Sequence, residues 1–189
     1  MKYSPMKSHL IIILLFCSTV LVGQQNQSKQ LHYWKKLFLV SKSFGINSEG
    51  VKIHTYTNRN RKKPADEWIF PWALGFEQSE INNKKFIESG YKSYNSIYVS
   101  VGRNGFKHFK NNFYFNGMLN VGLGNEKLMD YSEKTKNQFL IGLEASQGLL
   151  FIPRSDFGFV FGVSVFEKIF TSKIYSFDVR VQFSAGITF

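Results

Sequence analysis

The sequence contains a single cysteine, Cys17, and it lies within an apolar segment near the start of the chain. This segment, residues 10–22, follows Lys2 and Lys7 and ends at Gly23, before the polar run QQNQSKQ. A positive start, a short apolar centre and a small residue at its end are typical of a secretory signal peptide, so we predict cleavage after residue 23. The mature chain then lacks cysteine, which excludes disulfides, thiol catalysis and thiolate metal sites.

Two other interpretations of this segment are weaker. A transmembrane helix needs about twenty apolar residues, which is more than the segment provides. A lipoprotein would carry its lipid on Cys17, but the bulky Phe16 stands directly before it, where a small residue is expected. We therefore divide the chain into a signal peptide (1–23), a short polar segment (24–34) and one folded domain (35–189).

Motifs of enzymes and metal sites are also scarce. His32, His54 and His108 are isolated, and the chain has no HExxH pair, no G-x-S-x-G elbow and no phosphate loop. We therefore predict no catalytic, cofactor-binding or metal-binding residues and no cofactor. An outer-membrane enzyme that acylates or deacylates lipid A stays as an alternative, which would need a nucleophile such as serine, with histidine and an acid, at the membrane edge.

Acidic residues are few relative to basic ones. Removal of residues 1–23 leaves 22 Lys and Arg against 13 Asp and Glu, a net charge of +9. For a secreted protein this balance indicates anionic lipid or the phosphates of surface polysaccharide as partners rather than nucleic acid. Much of the excess lies in NRNRKK (58–63) and RNGFKHFK (103–110), which we interpret as solvated loops between strands.

Long helical periodicity is absent, and apolar residues alternate with polar or small ones instead, which is the period of a strand. In FGFVFGVSVF (157–166), for example, phenylalanine and valine occupy the odd positions, and glycine or serine occupies most of the even ones. The same analysis predicts eight strands, at about 35–47, 51–59, 68–78, 93–102, 112–124, 137–150, 157–167 and 175–189.

The number and length of these strands favour a membrane barrel. Eight is the smallest common number of strands in a transmembrane barrel. Several of the strands reach the nine to eleven residues, approximately, that a tilted strand needs to cross a bilayer, whereas strands of soluble proteins most often have about five or six. We predict an all-β fold, an antiparallel up-and-down transmembrane β-barrel. A secreted soluble β-protein is the alternative.

The last strand carries a resemblance to a known family. In FDVRVQFSAGITF (177–189) every odd position is apolar, and the strand ends on Phe189. The sequence resembles the small outer-membrane β-barrel proteins of Gram-negative bacteria, and its richness in Asn, Lys, Phe and Tyr is similar to Bacteroidetes proteins. The resemblance implies a periplasmic carboxy terminus, contact with outer-membrane lipid and lipopolysaccharide, and recognition of Phe189 by the barrel-assembly machinery.

With the carboxy terminus in the periplasm, the connections at 79–92, 125–136 and 168–174 fall on the cell surface, and 152–156 forms a periplasmic turn. The connections at 60–67 and 103–111 are long for periplasmic turns. We predict a structural or surface-interaction protein whose ligand is not identifiable from the sequence. Loops 79–92 and 125–136 are candidates for a partner site because charges there are mixed with larger apolar residues, namely Phe86, Ile87, Tyr91, Leu128, Met129 and Tyr131.

Strand parity also predicts an interior polar network. If the odd positions of the last strand face lipid, Asp178 and Arg180 face inward, and the neighbouring alternations turn Glu144 and Glu77 inward as well. An enclosed charge must be paired or hydrated, because desolvating it alone costs several kcal/mol. We therefore expect Arg180 to contact at least one of these three acids, in space left by the small inward residues Gly158, Val160, Gly162 and Ser164.

Overall fold

A computed structural model describes residues 34–46, 48–59, 67–81, 90–153, 157–172 and 175–189. Several predictions lie outside these ranges. They concern the signal peptide with Cys17, nearly all of the polar segment 24–34 with His32, residues 60–63 of the first basic run, and Phe86 and Ile87 of the predicted loop 79–92.

The described residues form eight antiparallel strands in sequence order, and β1 closes on β8 to complete a barrel. This confirms the predicted fold class. No helix in the described part of the chain has the length and hydrophobicity to cross a membrane. The strands are β1 (Lys36–Gly45), β2 (Ser48–Thr57), β3 (Trp72–Ile81), β4 (Tyr91–Lys110), β5 (Phe113–Asp130), β6 (Thr135–Phe151), β7 (Gly158–Phe170) and β8 (Phe177–Thr188).

Two predicted loops prove to be mostly strand. β4 continues through 103–110 to a two-residue turn at 111–112, and β5 continues to Asp130, so only residues 131–134 separate it from β6. Asn111 in the first turn has φ 55°, a left-handed conformation that asparagine tolerates better than most residues. The prediction of loops at 103–111 and 125–136 was therefore wrong, and the connections no longer divide into long ones at one end and short ones at the other.

β3 begins later than predicted. Pro71 has no backbone N–H to donate to a ladder, and the regular pairing of β3 with β4 starts at Trp72 opposite Arg103. The preceding residues form only an isolated bridge between Ile69 and Phe106. At the other end β3 extends to Ile81, three residues beyond the predicted boundary.

The strands are staggered around the barrel. Following hydrogen-bonded partners from Glu126 through each strand in turn leads back to β5 at Asn116, ten residues away from the start. A stagger of this size in a closed sheet goes with strands tilted by about 35–45° to the barrel axis.

The barrel has two ends, which we name from the chain. The terminal rim carries Trp34, Phe189, the turn at 111–112 and the described residues next to the strand ends, 58–59, 67–71, 152–153 and 157. The distal rim carries the turn at 131–134 and the described residues next to the other strand ends, 46, 90, 171–172 and 175–176. Lys36 and Phe189 exchange backbone hydrogen bonds of 2.7 and 3.0 Å at the terminal rim, so the last residue pairs with the first strand.

Candidate functional site

The outer surface and the interior have inverted polarity. Thirty-four large hydrophobic side chains of the described residues are exposed, whereas twenty-four polar or charged ones are buried. The exposed rows follow the predicted parity; on β7, for example, Phe159 and Phe161 are 66% and 58% exposed and Val160 is fully buried. Soluble proteins bury such side chains and rarely expose large contiguous apolar patches, so this outer surface is suited to lipid.

The half of the interior next to the terminal rim contains a large apolar cluster, with the buried polar side chains of His54, Asn104 and His108 against its tyrosines. We call this cluster the terminal plug, and nearly every member is at least 97% buried. Phe106 lies at its centre, with ring centroids 5.2 Å from Trp34 and 5.4 Å from Tyr56, both edge to face. The plug comprises Trp34, Leu37, Leu39, Tyr56, Ile69, Ala73, Phe106, Tyr114, Leu150, Ile152 and Val160.

The interior nearer the distal rim is charged. Seven described ionic side chains are buried, and one of them, Glu126 on β5, lies beside Tyr94 near the distal rim. The other six, here called the charged layer, project inward from five strands: Lys52, Glu77, Glu144, Lys168, Asp178 and Arg180. Glu77 is the bridging member, since its Oε1 accepts from Lys168 Nζ at 2.9 Å and from Arg180 Nη1 at 3.1 Å. The charged layer contains three cations and three anions and is therefore neutral as a whole.

The remaining ion pairs complete this balance. Arg180 also pairs with Asp178, its neighbour on the inward face of β8. Lys52 donates to Glu144 Oε2 at 2.5 Å, across the barrel from β2 to β6. Each charge therefore has a partner of opposite sign, which offsets the cost of removing it from water.

Hydroxyl groups occupy the rest of the hydrogen-bonding capacity around Arg180. Its Nε donates to Ser48 Oγ at 2.9 Å and its Nη1 to Ser43 Oγ at 3.3 Å. Ser48 in turn donates to Asp178 at 2.6 Å, and Tyr175 donates to the same carboxylate at 2.9 Å. Burial, reinforced by Asp178, raises the pKa of Tyr175, which lies between β7 and β8, to about 12, so this phenol keeps its proton and acts as a donor.

The lysines of the charged layer also lie over aromatic rings. Lys52 Nζ is 4.7 Å from the centroid of Phe166, and Lys168 Nζ is 4.8 Å from Tyr98 and 5.3 Å from Phe170. An ammonium over an aromatic face is attracted by the negative face of the ring, and more strongly where water is excluded. The rings thus stabilise cations that carboxylates contact from another side.

The structure brings together three of the four predicted network residues. Arg180 contacts Glu77 and Asp178, whereas Glu144 pairs with Lys52. Lys52 and Lys168 are not among the residues predicted for the polar network, although the alternation in their strands turns both side chains inward. In VKIHTYT the odd residues are exposed, and in FEKIF Lys168 shares the buried face of Phe166.

The sequence analysis predicts that small residues of β7 leave the space for Arg180. In the structure this space lies beside β1 and β2 instead. A Cβ at Gly50 would meet Arg180 Nη1, and one at Gly45 would lie 3.1 Å from Arg180 Cγ. The two glycines on β1 and β2 therefore leave room for the guanidinium. The space beside Gly162 on β7 is filled by the Leu150 side chain instead, because Gly162 lies nearer the terminal rim, beside the terminal plug.

A third cluster closes the interior at the distal rim. Tyr94 and Leu128 are almost fully buried, with Ile81 and Tyr91 packed against them. Tyr175 packs edge to face on Tyr94, with ring centroids 6.5 Å apart. Among the described residues the lumen thus holds apolar clusters near both ends and ion pairs between them, with the buried carboxylate of Glu126 beside Tyr94 at the distal end.

Two of the isolated histidines, His54 and His108, lie in the described ranges, and their hydrogen bonds are with neither serine nor carboxylate. His54 Nδ1 lies 2.8 Å from the Tyr56 hydroxyl, inside the barrel, and His108 Nε2 lies 2.5 Å from the Asn111 carbonyl oxygen. Within the described ranges, no group of three or more His, Cys, Asp or Glu side chains is placed to hold a metal ion.

These features define a class: the chain has the fold of the eight-stranded outer-membrane β-barrels. No family model and no curated protein sequence matches it. Among solved structures, the N-terminal β-barrel domain of Pseudomonas aeruginosa OprF is similar with a TM-score of 0.53 and 11% identity, covering 85% of this chain and all of that domain.

Two further outer-membrane barrels are similar at lower TM-scores. Ail, the attachment invasion locus protein of Yersinia pestis, gives 0.48 with 18% identity over 82% of this chain and 95% of its own. Neisserial surface protein A gives 0.42 with 14% identity over 81% of this chain and 92% of its own.

Proposed function

We propose that this protein is an outer-membrane β-barrel of a Gram-negative bacterium with a structural or surface-interaction role. The inverted polarity carries the proposal, because an apolar outer surface around a charged, filled interior is stable in lipid and unfavourable in water. An even number of strands brings both ends of the chain to the same side, and we place this side, the terminal rim, in the periplasm, as the resemblance to outer-membrane barrels implies. The distal rim then faces the cell exterior.

The filled lumen argues for a surface role rather than for transport. Eight strands enclose a space that side chains can just fill, and the terminal plug and charged layer fill it here. Purified protein in planar bilayers should therefore give no stable conductance. Steady channels with the wild-type protein would contradict this part of the proposal.

The surface available to a partner is a sheet rather than the loop predicted at 125–136. β5 and β6 stay paired from Gly122 opposite Gly142 up to Met129 opposite Thr135, whereas the ladder of β6 with β7 starts only at Gly142. Residues 135–141 of β6 therefore stand above the end of β7. We call this part of β5 and β6, residues 122–141, the raised hairpin. Outside the cell it would be exposed to lipopolysaccharide or another surface partner, together with the start of β4, where Tyr91 pairs with Asp130.

Phe189 is the proposed assembly signal. Its ring is half-exposed and lies 5.8 Å from Lys36 Nζ at the terminal rim. Burial of one such side chain contributes about 1.5–3 kcal/mol, too little to decide whether a barrel folds. We expect Phe189→Ser to reduce the amount in the outer membrane while the assembled fraction stays stable; normal membrane levels of this variant would count against the assignment.

Membrane residence is tested by fractionation and by gel mobility. The mature protein should sediment with the outer membrane and change its mobility in detergent gels between unheated and boiled samples, because a closed hydrogen-bonded barrel resists detergent until it is heated. Recovery as a periplasmic monomer without a mobility shift would overturn the proposal. A pull-down of this protein from intact outer membranes would then identify a partner that binds the raised hairpin.

A further inference from the structure

The charges outside the interior are distributed unevenly between the two halves of the barrel. The distal half is balanced, with Lys42, Lys92, Lys127, Lys134 and Lys136 against Glu49, Glu80, Asp130, Glu133 and Glu167. The terminal half has a single described acid, Glu67, against six described bases: Lys35, Lys36, Arg59, Arg103, Lys107 and Lys110. The terminal half therefore has a local excess of positive charge among the described residues.

These cations lie among aromatic side chains of the outer surface. Arg103 Cζ is 4.9 Å from the ring centroid of Trp72, its partner across β3 and β4. At the closure of the barrel, Lys36 is similarly placed beside Phe189. Tryptophan and other aromatic residues of membrane proteins concentrate at the depth of the lipid headgroups, so the cations beside them lie at that depth too.

The outward face of β4 combines the two kinds of side chain most closely. Arg103 is exposed and Lys107 is half-buried, and Gly105 lies between them on the same face. The rings of Trp68 and Phe70 stack at 6.2 Å with an interplanar angle of 17° and cover Gly105, since a Cβ there would lie 3.0 and 3.1 Å from them. We call Trp68, Phe70, Trp72, Arg103 and Lys107 the β4 patch.

The β4 patch matches the two parts of a phospholipid. A guanidinium stacked on indole keeps the N–H groups at its edge free to donate to phosphate oxygens, and Lys107 adds a second positive charge. Trp68, Phe70 and Trp72 offer apolar surface for the upper part of an acyl chain. Phe70 and Trp72 are 51% and 53% exposed, so this surface is accessible.

We propose that the β4 patch binds the phosphate headgroup of an anionic phospholipid, of the phosphatidylglycerol type, in the leaflet around the terminal rim. The inference rests on the proposed membrane function. It goes beyond that function because it assigns a lipid class to one place on the barrel, and because the balanced distal half should show no such preference.

The test compares lipid retention by purified barrels folded in bilayers of phosphatidylglycerol and phosphatidylcholine, released gently and examined by native mass spectrometry. A cation near an anionic surface favours binding by about fivefold, so the two cations of the patch should favour phosphatidylglycerol by roughly thirtyfold. Arg103→Gln combined with Lys107→Gln should abolish the preference. The matched control, Lys127→Gln combined with Lys134→Gln, removes two charges from the distal half and should leave it unchanged.

Each outcome has a separate meaning. If the wild-type barrel enters the bilayer and shifts on heating but retains both lipids equally, the β4 patch assignment is wrong and the proposed function stands. Equal loss of preference in both double variants would indicate a general charge effect and would also overturn the assignment. If the wild-type chain does not enter bilayers, the proposed function itself fails. The heat-dependent gel shift shows whether each variant is folded.

Discussion

The two halves of the barrel interior close the same lumen by different chemistry. The terminal plug excludes water with aromatic and aliphatic side chains, whereas the charged layer fills its space with ions that compensate one another. Loss of one apolar group leaves a local gap, but loss of one ion leaves its partners buried without compensation. We therefore expect the charged layer to be the half that responds more strongly to a single substitution.

The largest effect is expected at Glu77. Glu77→Gln keeps the size of the side chain but leaves Lys168 and Arg180 with an uncompensated positive charge, which should lower the free energy of unfolding by about 3–5 kcal/mol. Urea unfolding in lipid vesicles, followed by tryptophan fluorescence, measures this. Glu80→Gln on the exposed face of the same strand is the control and should change little. Equal effects of the two substitutions would mean that the buried charges of the charged layer are no more sensitive to substitution than an exposed one.

A smaller effect is expected at Gly50. A methyl group there would meet the guanidinium of Arg180 and also lie 3.1 Å from the Gln78 carbonyl oxygen. Gly50→Ala should therefore displace Arg180 and lower the free energy of unfolding by up to about 3 kcal/mol through overpacking. Gly117→Ala is the control, because nothing lies within 4 Å of a Cβ at that glycine. If Gly50→Ala unfolds like the wild type, Arg180 does not depend on this space.

The smallest effect is expected in the terminal plug. Val160→Ala removes two buried methyl groups, worth about 2 kcal/mol with the gap they leave. Val163→Ala, on the lipid-facing side of the same strand, should cost less, since lipid chains can fill the space. The same unfolding assay compares the two variants, and a larger loss for Val163→Ala than for Val160→Ala would contradict the assignment of the tightly packed side chains to the barrel interior.

The alternation of side chains allowed the fold to be predicted, but not the lengths of two strands. Apolar periodicity marks where a strand has an apolar outer face, and it is interrupted where charged side chains point outward. Arg103 and Lys107 interrupt it on β4, and Lys127 does so on β5, so both segments were interpreted as loops. On β4 the inward positions stay buried between the outward charges: Phe106, between Arg103 and Lys107, is fully buried. This continued alternation of buried and outward side chains indicates the longer strand.

For the charged layer, parity predicted which way a side chain points but not what it contacts. Arg180, Glu77 and Asp178 were grouped because they share the interior, and the structure brings them into contact. The pairing of Lys52 with Glu144 depends on the stagger of the strands around the barrel, which brings β2 and β6 side chains to one height. No local pattern in the sequence encodes that stagger, so this pair could not be predicted.

The central claim is a closed barrel that crosses the outer membrane with its distal rim outside. It is tested most directly by two single-cysteine variants, Ser132→Cys in the exposed distal turn and Lys110→Cys at the exposed terminal end of β4. On intact cells, a membrane-impermeant maleimide should label Ser132→Cys alone, and both variants should react once the outer membrane is permeabilised. Labelling of Lys110→Cys on intact cells, or no cell-bound label on either variant, would contradict the claim.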